Sequence, residues 1–346
     1  MNTLTTQSQN TALEVFGAFA NDAAARSAFR LYQDRRPANT QRAQRAALAV
    51  FEAFLRTGGI VPTGELYSDP DAWQGITWGT LQAFQVWQLQ QGYAVGTVNG
   101  RVSTVRFYMG LANQAGAIPD GEVLRAGQVK GYTRKEAMDT DAKRAKQGTP
   151  TRKGLKKSQA VTITEDQARK LCQVRNETPQ ARRDALMLCL FVFHGLRVSE
   201  VAGLQVKNVD TENRMITFYR PKTGKESRHR IRGRAWQCLT AYLKADHPGS
   251  DALLLASTKT GALLPGSDMS IEAIRQRVTM LGQGIGIDHL TPHDLRHHGA
   301  TVIANDPNSS LGALMSWGGW ESASSASRYI EAGAADNDGV SLGMED

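Results

Sequence analysis

The sequence is poor in cysteine and has no long apolar run. Its three cysteines, Cys172, Cys189 and Cys238, are odd in number and lack metal-ligand spacing, which predicts reduced thiols. No apolar stretch approaches the ~20 residues of a membrane span. Residues 1–7 lack the basic start and apolar block of a secretory signal. We therefore expect a cytoplasmic protein and exclude a disulfide scaffold and an integral membrane protein.

What the sequence does have is positive charge. Its 346 residues carry a net charge of +8 and are 41% hydrophobic, typical of a globular protein long enough for two domains. A pI near 9.5 favours a polyanionic partner, most simply nucleic acid.

The positive charge is concentrated in one segment. Residues 130–157 hold ten Lys or Arg against three acids. Gly131, Gly148, Pro150 and Gly154 disfavour one continuous helix there. We expect a flexible linker that also contacts phosphates, because basic chains laid along a duplex release counterions.

The pattern before this segment is helical. We expect residues 1–12 to be disordered, followed by helices over 41–55, 77–91 and from about 97 to 116, the first capped by Asn39 or Thr40. In the third helix one face is apolar, formed by Val98, Val102, Val105, Met109 and Ala112.

The pattern after the basic segment mixes helices and strands. Thr164 and Gln167 predict the start of a helix, and residues 181–194 form an apolar helix that leads to Gly195 and Arg197. Two short strands, 215–219 and 226–231, flank a turn over 221–224, and a helix follows over 236–243.

Several residues of this second half suit chemistry at a phosphodiester. Cleavage places extra negative charge on phosphate oxygens, and a planar guanidinium binds two oxygens at once. Arg197 and Arg296 are the candidates, although an isolated arginine is more often a surface residue. Glu200 lies three residues after Arg197 and can orient it on one helical face.

A histidine, a tryptophan and a tyrosine accompany the arginines. His293 stands three residues before Arg296, so a helix directs both toward one phosphate, and imidazole can move a proton. His297 and His298 point to other faces. Trp320 offers only an N–H donor or core packing, and Tyr329 is the candidate nucleophile.

The order Arg197, Lys222, His293-x-x-Arg296, Trp320, Tyr329 resembles the tyrosine recombinase, or phage integrase, family. Gly318-Gly319-Trp320, where many relatives carry a second histidine, looks most like the Cre recombinase branch. The resemblance implies a 3′-phosphotyrosine intermediate and a Holliday junction, with no metal, ATP or cofactor. It favours Lys222 over Lys225 as the acid for the leaving 5′ oxygen, which makes Lys225 a phosphate contact.

The resemblance also implies a mainly α fold with a small β-hairpin in the catalytic domain, arranged as a two-domain C-shaped DNA clamp. Candidate DNA contacts on the helical domain are Thr40, Arg42, Arg45, Arg101 and Arg106, although Arg42 and Arg45 also suit a solvated face. The expected boundaries are a disordered N-terminus over 1–12, a helical core-binding (SAM-like) domain over 13–125, a basic linker over 126–160 and the catalytic domain over 161–346.

The implied partners are a double-stranded DNA recombination site and three further copies in a tetramer, associated with the nucleoid when bound to DNA. The tail after Tyr329 could dock on a neighbouring copy. Two alternatives stay open: a type IB topoisomerase, which keeps a histidine where Trp320 stands, and a DNA-binding protein without catalysis.

Overall fold

The computed structural model describes residues 2–153, 161–175, 177–246 and 251–330, with side chains from residue 12 onward. The chain divides into two compact units, Met1–Ser158 and Gln159–Asp346.

The first unit is helical throughout its described part. Its core is an aromatic cluster around Phe51, Trp73, Phe84 and Tyr108, each fully buried. The apolar face predicted for the third helix is buried against this cluster. The helices are α1 (Asn2–Asp34), α2 (Ala38–Thr57), α3 (Trp78–Gln90), α4 (Val95–Gln114), α5 (Asp120–Ala126) and α6 (Arg134–Lys146).

The N-terminal part of this unit differs from the prediction in two places. The backbone is helical from Asn2, where we expected disorder, because a helix once nucleated extends at little cost through a segment free of proline and glycine. Helix α2 begins after Pro37, with no side-chain cap, so neither Asn39 nor Thr40 caps it.

The basic segment is more ordered than a flexible linker. It contains α6, which Thr133 and Glu136 open with reciprocal capping bonds. Arg144 is 6% exposed and donates to the carbonyls of Tyr93 and Pro150 at 3.0 and 2.7 Å. The segment up to residue 153 therefore packs on the first unit, and residues 154–160 lie outside the described part of the chain.

The second unit is mainly helical, as predicted, and its described part has two small antiparallel sheets where we expected one hairpin. Its first three strands form one sheet in chain order, and the next two pair with each other. The elements are α7 (Glu165–Leu171), α8 (Pro179–Val192), α9 (Val198–Ala202), β1 (Val209–Asp210), β2 (Met215–Arg220), β3 (Lys225–Arg230), α10 (Gly233–Ala245), β4 (Leu255–Ser257), β5 (Leu263–Asp268), α11 (Ile271–Gln283), α12 (Pro292–Ala304), α13 (Leu311–Gly318) and α14 (Ala323–Ser327).

Helix α8 is the centre of the second unit. Every residue from Ala185 to Val192 is buried, as expected of a helical segment that is apolar on all sides, and α8 packs against α10 and α12. The three cysteines meet beside it: the sulfurs of Cys189 and Cys238 are 3.7 Å apart, and each lies within 3.9 Å of the carbonyl oxygen of Cys172.

Among the described residues, no helix is both long enough and apolar enough to cross a lipid bilayer.

Candidate active site

Arg197 reaches the site through a sharp turn after α8. Gly195 adopts φ +59°, and a Cβ there would lie 2.4 Å from the ring of Trp317, so only glycine fits. Arg197 then precedes α9, and its backbone N–H and guanidinium donate to Glu200 at 2.7 and 2.8 Å. The Glu200 side chain is fully buried. The structure thus places Glu200 where the sequence predicted a partner for Arg197.

Arg296 and His293 share helix α12, as predicted from their spacing. Arg296 is 3% exposed and donates to the carbonyls of Gly195 and Gly318, the latter at 2.6 Å. Burial, and next the charge of Arg197, lowers the pKa of Arg296 to about 10, so it stays charged at neutral pH. Burial, and next Arg296, also lowers the pKa of His293. The two arginines and His293 therefore lie close enough to influence each other electrostatically.

Tyr329 lies directly after α14 and is held between two rings. It is 8% exposed, with Trp320 at 5.2 Å and His297 at 4.9 Å between ring centroids. The guanidinium of Arg296 lies 4.8 Å from the Trp320 ring centroid, and the electrostatic effect of Tyr329 on Arg296 is to raise its pKa. The candidate nucleophile and one candidate phosphate ligand therefore meet across Trp320.

The two glycines before Trp320 are required by close packing. A Cβ at Gly318 would lie 2.0 Å from the Trp320 ring. Gly319 adopts φ +60°, and its Cβ would lie 2.6 Å from the Arg220 side chain. The Gly-Gly-Trp motif therefore forms a helix end against which the Trp320 indole and the Arg220 guanidinium both pack.

Lys222 is not drawn into this cluster. It is exposed in the turn between β2 and β3, and within the described part of the chain it makes no hydrogen bond or ion pair. Lys225 begins β3 and its ammonium lies 2.9 Å from the carboxylate of Glu321. Both lysines thus lie on a hairpin that borders the site. Lys225, the predicted phosphate contact, is already paired with a carboxylate.

The predicted DNA contacts on α2 differ in their surroundings. Thr40 is exposed, and Arg42 donates to the asparagine three residues earlier. Arg45 pairs with Glu65 at 2.6 Å and lies 3.7 Å above the Tyr67 ring. Arg45 is therefore engaged with protein partners, whereas Thr40 is accessible to solvent.

The candidates on α4 are more fully engaged. Arg101 lies over the Tyr93 ring at 4.2 Å, and Arg106 donates to the carbonyl of Val129. Arg106 is partly buried and supports the chain after α5, so its surroundings favour a structural role.

Sequence reasoning missed two residues of the site. His297, which we expected to point to another face, lies edge-on to the Tyr329 ring. Its position directly after Arg296 in the sequence was the available signal that it lies near the site. Arg220 is 1% exposed and bonds the carbonyls of Trp317 and Gly318. Nothing in the sequence around Arg220 indicates burial, because its partners stand almost a hundred residues away.

Comparison with known proteins decides the family. The model of the phage integrase family matches residues 161–335, about half of the chain. The chain belongs to the phage integrase family. Among curated relatives, a tyrosine recombinase XerC of Roseiflexus sp. (strain RS-1) is 26% identical over 252 residues, 67% of either chain. A XerC of Actinobacillus succinogenes is 34% identical over 145 residues, covering 40% of this chain and 46% of the relative.

Solved structures of two integrases share the fold. The Tn1549 transposon integrase, in complex with transposon right end DNA, matches with a TM-score of 0.61 at 15% identity, covering 90% of this chain and 96% of that one. A lambda integrase dimer bound to a core site matches with a TM-score of 0.58 at 16% identity, covering 87% and 94%. At such identities the likeness establishes the fold alone.

Proposed function

We propose that this chain is a site-specific DNA recombinase that cleaves and rejoins DNA through a covalent bond to Tyr329. The observation that carries the proposal is the convergence of three residues, Arg197, Arg296 and Tyr329, in a phage integrase family member. Arg296 bonds the carbonyl of Gly195, two residues before Arg197, and lies over the ring of Trp320, which contacts Tyr329. Relatives named tyrosine recombinases, and integrase structures solved on DNA, support the same activity and a double-stranded DNA partner.

The proposed reaction is a transesterification. The hydroxyl oxygen of Tyr329 attacks the phosphorus, the bond from phosphorus to the 5′ oxygen breaks, and a 3′-phosphotyrosine forms. We propose that His293, whose pKa is lowered by burial and next by Arg296, takes the tyrosine proton. Lys222 donates a proton to the departing 5′ oxygen. The reverse steps rejoin the strand, so no external energy is consumed.

Arg197 and Arg296 neutralise the charge on the non-bridging oxygens. Arg197 is about a quarter exposed, at 24% of its side chain, and so can face a phosphate. Glu200 holds Arg197 by two hydrogen bonds and orients its guanidinium before the substrate binds. Electrostatic catalysis gains most from donors that are oriented in this way before the reaction. The indole N–H of Trp320 is proposed as a further donor to a non-bridging oxygen.

In the first unit we propose the exposed residues Thr40 and Arg42 as DNA contacts, with Lys130, Arg134 and Lys135 before and within α6 as further cations for phosphates. Arg45, Arg101 and Arg106 stay in the proposal as residues that would exchange protein partners for DNA. Lys225 would leave Glu321 to do the same.

Assembly and subfamily are also part of the proposal. We propose that four copies act on two DNA sites and that Gly318-Gly319-Trp320 places the chain near the Cre recombinase branch. Nucleoid association would follow from DNA binding. The tail that we expected to dock on a neighbouring copy, residues 331–346, lies outside the described residues.

The test is capture of the covalent intermediate. Protected DNA is first mapped in the region flanking the gene, and a nicked suicide substrate of that sequence is then incubated with the protein. We expect a protease-sensitive adduct at the 3′ phosphate. Supercoil relaxation without exchange between two sites would favour a topoisomerase, and the absence of any adduct on a protected site would contradict catalysis.

A further inference from the structure

The side chain of Arg220, the last residue of β2, makes four hydrogen bonds near the site. It is 1% exposed. Its two terminal guanidinium nitrogens donate to the carbonyls of Trp317 and Gly318 at 3.0 and 3.2 Å, and its Nε donates to the hydroxyl of Ser227 at 2.7 Å. A longer bond of 3.4 Å reaches Glu200. A buried arginine with this many acceptors is held in one orientation.

The Lys222 turn is built on the backbone of the same residue. The carbonyl of Arg220 accepts hydrogen bonds from the amides of Thr223 and Gly224 at 3.1 and 2.9 Å. Pro221 restricts the backbone at the start of the turn. The position of Lys222 is thus fixed, through two backbone bonds, relative to Arg220.

The side chain of Arg220 in turn fixes the hairpin relative to the nucleophile segment. Its two carbonyl acceptors belong to the end of α13, directly before Trp320, whose ring contacts Tyr329. A second link joins the same two parts, the ion pair of Lys225 with Glu321. That pair is 69% and 61% exposed, so water and salt weaken it, whereas the bonds of Arg220 are shielded from both.

We propose that Arg220 is a positioning residue that sets the Lys222 turn against the Trp317–Trp320 segment, so that proton donation to the leaving 5′ oxygen depends on it. The inference rests on the proposed function. Arg220 is buried and does not touch the phosphate; its effect passes through Lys222.

A substrate with sulfur in place of the bridging 5′ oxygen separates this role from a merely structural one. A thiolate leaves without a proton, so a defect in proton donation disappears on that substrate. General acid catalysis is worth about 10²–10⁴-fold. We expect Lys222→Ala to lose cleavage in that range on the oxygen substrate and to recover on the sulfur substrate.

Arg220→Met is expected to slow single-turnover cleavage of the oxygen substrate by about 10- to 100-fold, up to the lower end of the range for lost acid catalysis, and to approach the wild-type rate on the sulfur substrate. Arg220→Lys keeps the charge without the fork and should behave as Arg220→Met. Glu321→Gln, which removes only the exposed link, is the matched control and should stay within about 3-fold of wild type on both substrates. Arg197→Ala should remain slow on both.

Equal slowing of Arg220→Met on the two substrates would overturn the inference. Rescue of Lys222→Ala without rescue of Arg220→Met overturns the role of Arg220 alone. A wild-type chain that forms no adduct on either substrate contradicts the proposed function itself, and the two failures are thereby distinguished.

If Arg220→Met does not unfold cooperatively, and so is not properly folded, the variant Ser227→Ala serves as the second test. It removes one acceptor of Arg220 and leaves both carbonyl bonds. We expect a smaller defect than for Arg220→Met, with the same recovery on sulfur. Wild-type rates, or equal slowing on both substrates, would contradict the proposal.

Discussion

Arg220 and Arg296 donate hydrogen bonds to one oxygen, the carbonyl of Gly318, at 3.2 and 2.6 Å. Gly318 ends helix α13, where carbonyls carry partial negative charge and attract cations. Gly318, two residues before Trp320, is therefore held by one arginine from the hairpin and one from α12. The backbone that leads to Tyr329 starts from this point.

Replacement of Tyr329 by phenylalanine should abolish the covalent adduct and leave DNA affinity nearly unchanged, because the ring supplies the packing against Trp320 and His297. The measurements are adduct formation on the nicked substrate and a binding titration at fixed salt. Tyr219→Phe is the control, since Tyr219 is 56% exposed, and it should cleave normally. Adduct retained by Tyr329→Phe would transfer the nucleophile to another residue.

Cleavage should persist in EDTA. The groups gathered at the site are cationic, and the proposed neutralisation of phosphate charge comes from Arg197, Arg296 and Lys222, so a divalent cation there would be repelled. Adduct yield with and without EDTA, at constant ionic strength, measures this. Loss of cleavage on chelation that Mg²⁺ restores would make the proposed mechanism wrong.

Glu200→Gln should slow cleavage by roughly 10- to 100-fold. The exchange weakens the charge-assisted bonds that hold Arg197, each worth about 1.5–3 kcal/mol, and ten-fold in rate corresponds to about 1.4 kcal/mol. Single-turnover rates at saturating protein give the result. Glu226→Gln, an exposed glutamate on β3, is the control and should have the wild-type rate; a wild-type rate for Glu200→Gln would argue against its orienting role.

Gly319→Ala should destabilise the second unit. A non-glycine residue at φ +60° costs about 1–3 kcal/mol, and the new methyl group would displace Arg220, which lies 2.6 Å from it. The free energy of unfolding in urea is the measurement. Gly312→Ala, inside α13 with only an ordinary 3.8 Å contact, should be neutral or stabilising by up to about 1 kcal/mol, and similar effects of both changes would contradict the packing argument.

Stability should fall on mild acidification. Burial lowers the pKa of His194 to about 4, and burial together with the neighbouring imidazole lowers that of His229 to about 3. Both histidines protonate near pH 6.5 in the unfolded chain, so the unfolded state binds more protons below that pH. The free energy of unfolding should therefore decrease between pH 6.5 and about 4, by about 1.4 kcal/mol per pH unit for each histidine.

Urea unfolding at pH 7.5, 6.5, 5.5 and 5.0 tests this, with little change expected above pH 6.5. His229→Gln removes one titrating group and should flatten the profile. A free energy of unfolding that is constant from pH 6.5 to 5 would contradict the burial of these two rings.

The sequence predicted the helices whose apolar periodicity is strong and the local geometry of the site. The face of α4, the spacing of His293 and Arg296 on α12, and the contact of Glu200 with Arg197 all depend on residues within a few positions of each other. Short-range spacing is what a sequence displays directly.

The burial of Arg220 could not be predicted, because a turn sequence rich in charged residues indicates an exposed segment. The carbonyl acceptors of Arg220 come from α13, far away in the sequence. For the same reason the ion pair of Lys225 could not be predicted, because its partner Glu321 is equally remote in the sequence. Contacts of backbone carbonyls carry no residue signature, so long-range bonds of this kind leave no pattern to read.

The buried cysteines have a practical consequence for spectroscopy. The hydrogen bond with Cys189, and next burial, raises the pKa of the Cys238 thiol. Cys172, Cys189 and Cys238, the three cysteines of the chain, are all buried. Thiolate is the reactive form, so maleimide dyes should pass these sulfurs by in the folded protein. A cysteine introduced at an exposed position, such as Ala49 on α2 or Met280 on α11, could then carry a fluorophore without removal of the native thiols, which opens both units to single-molecule distance measurements.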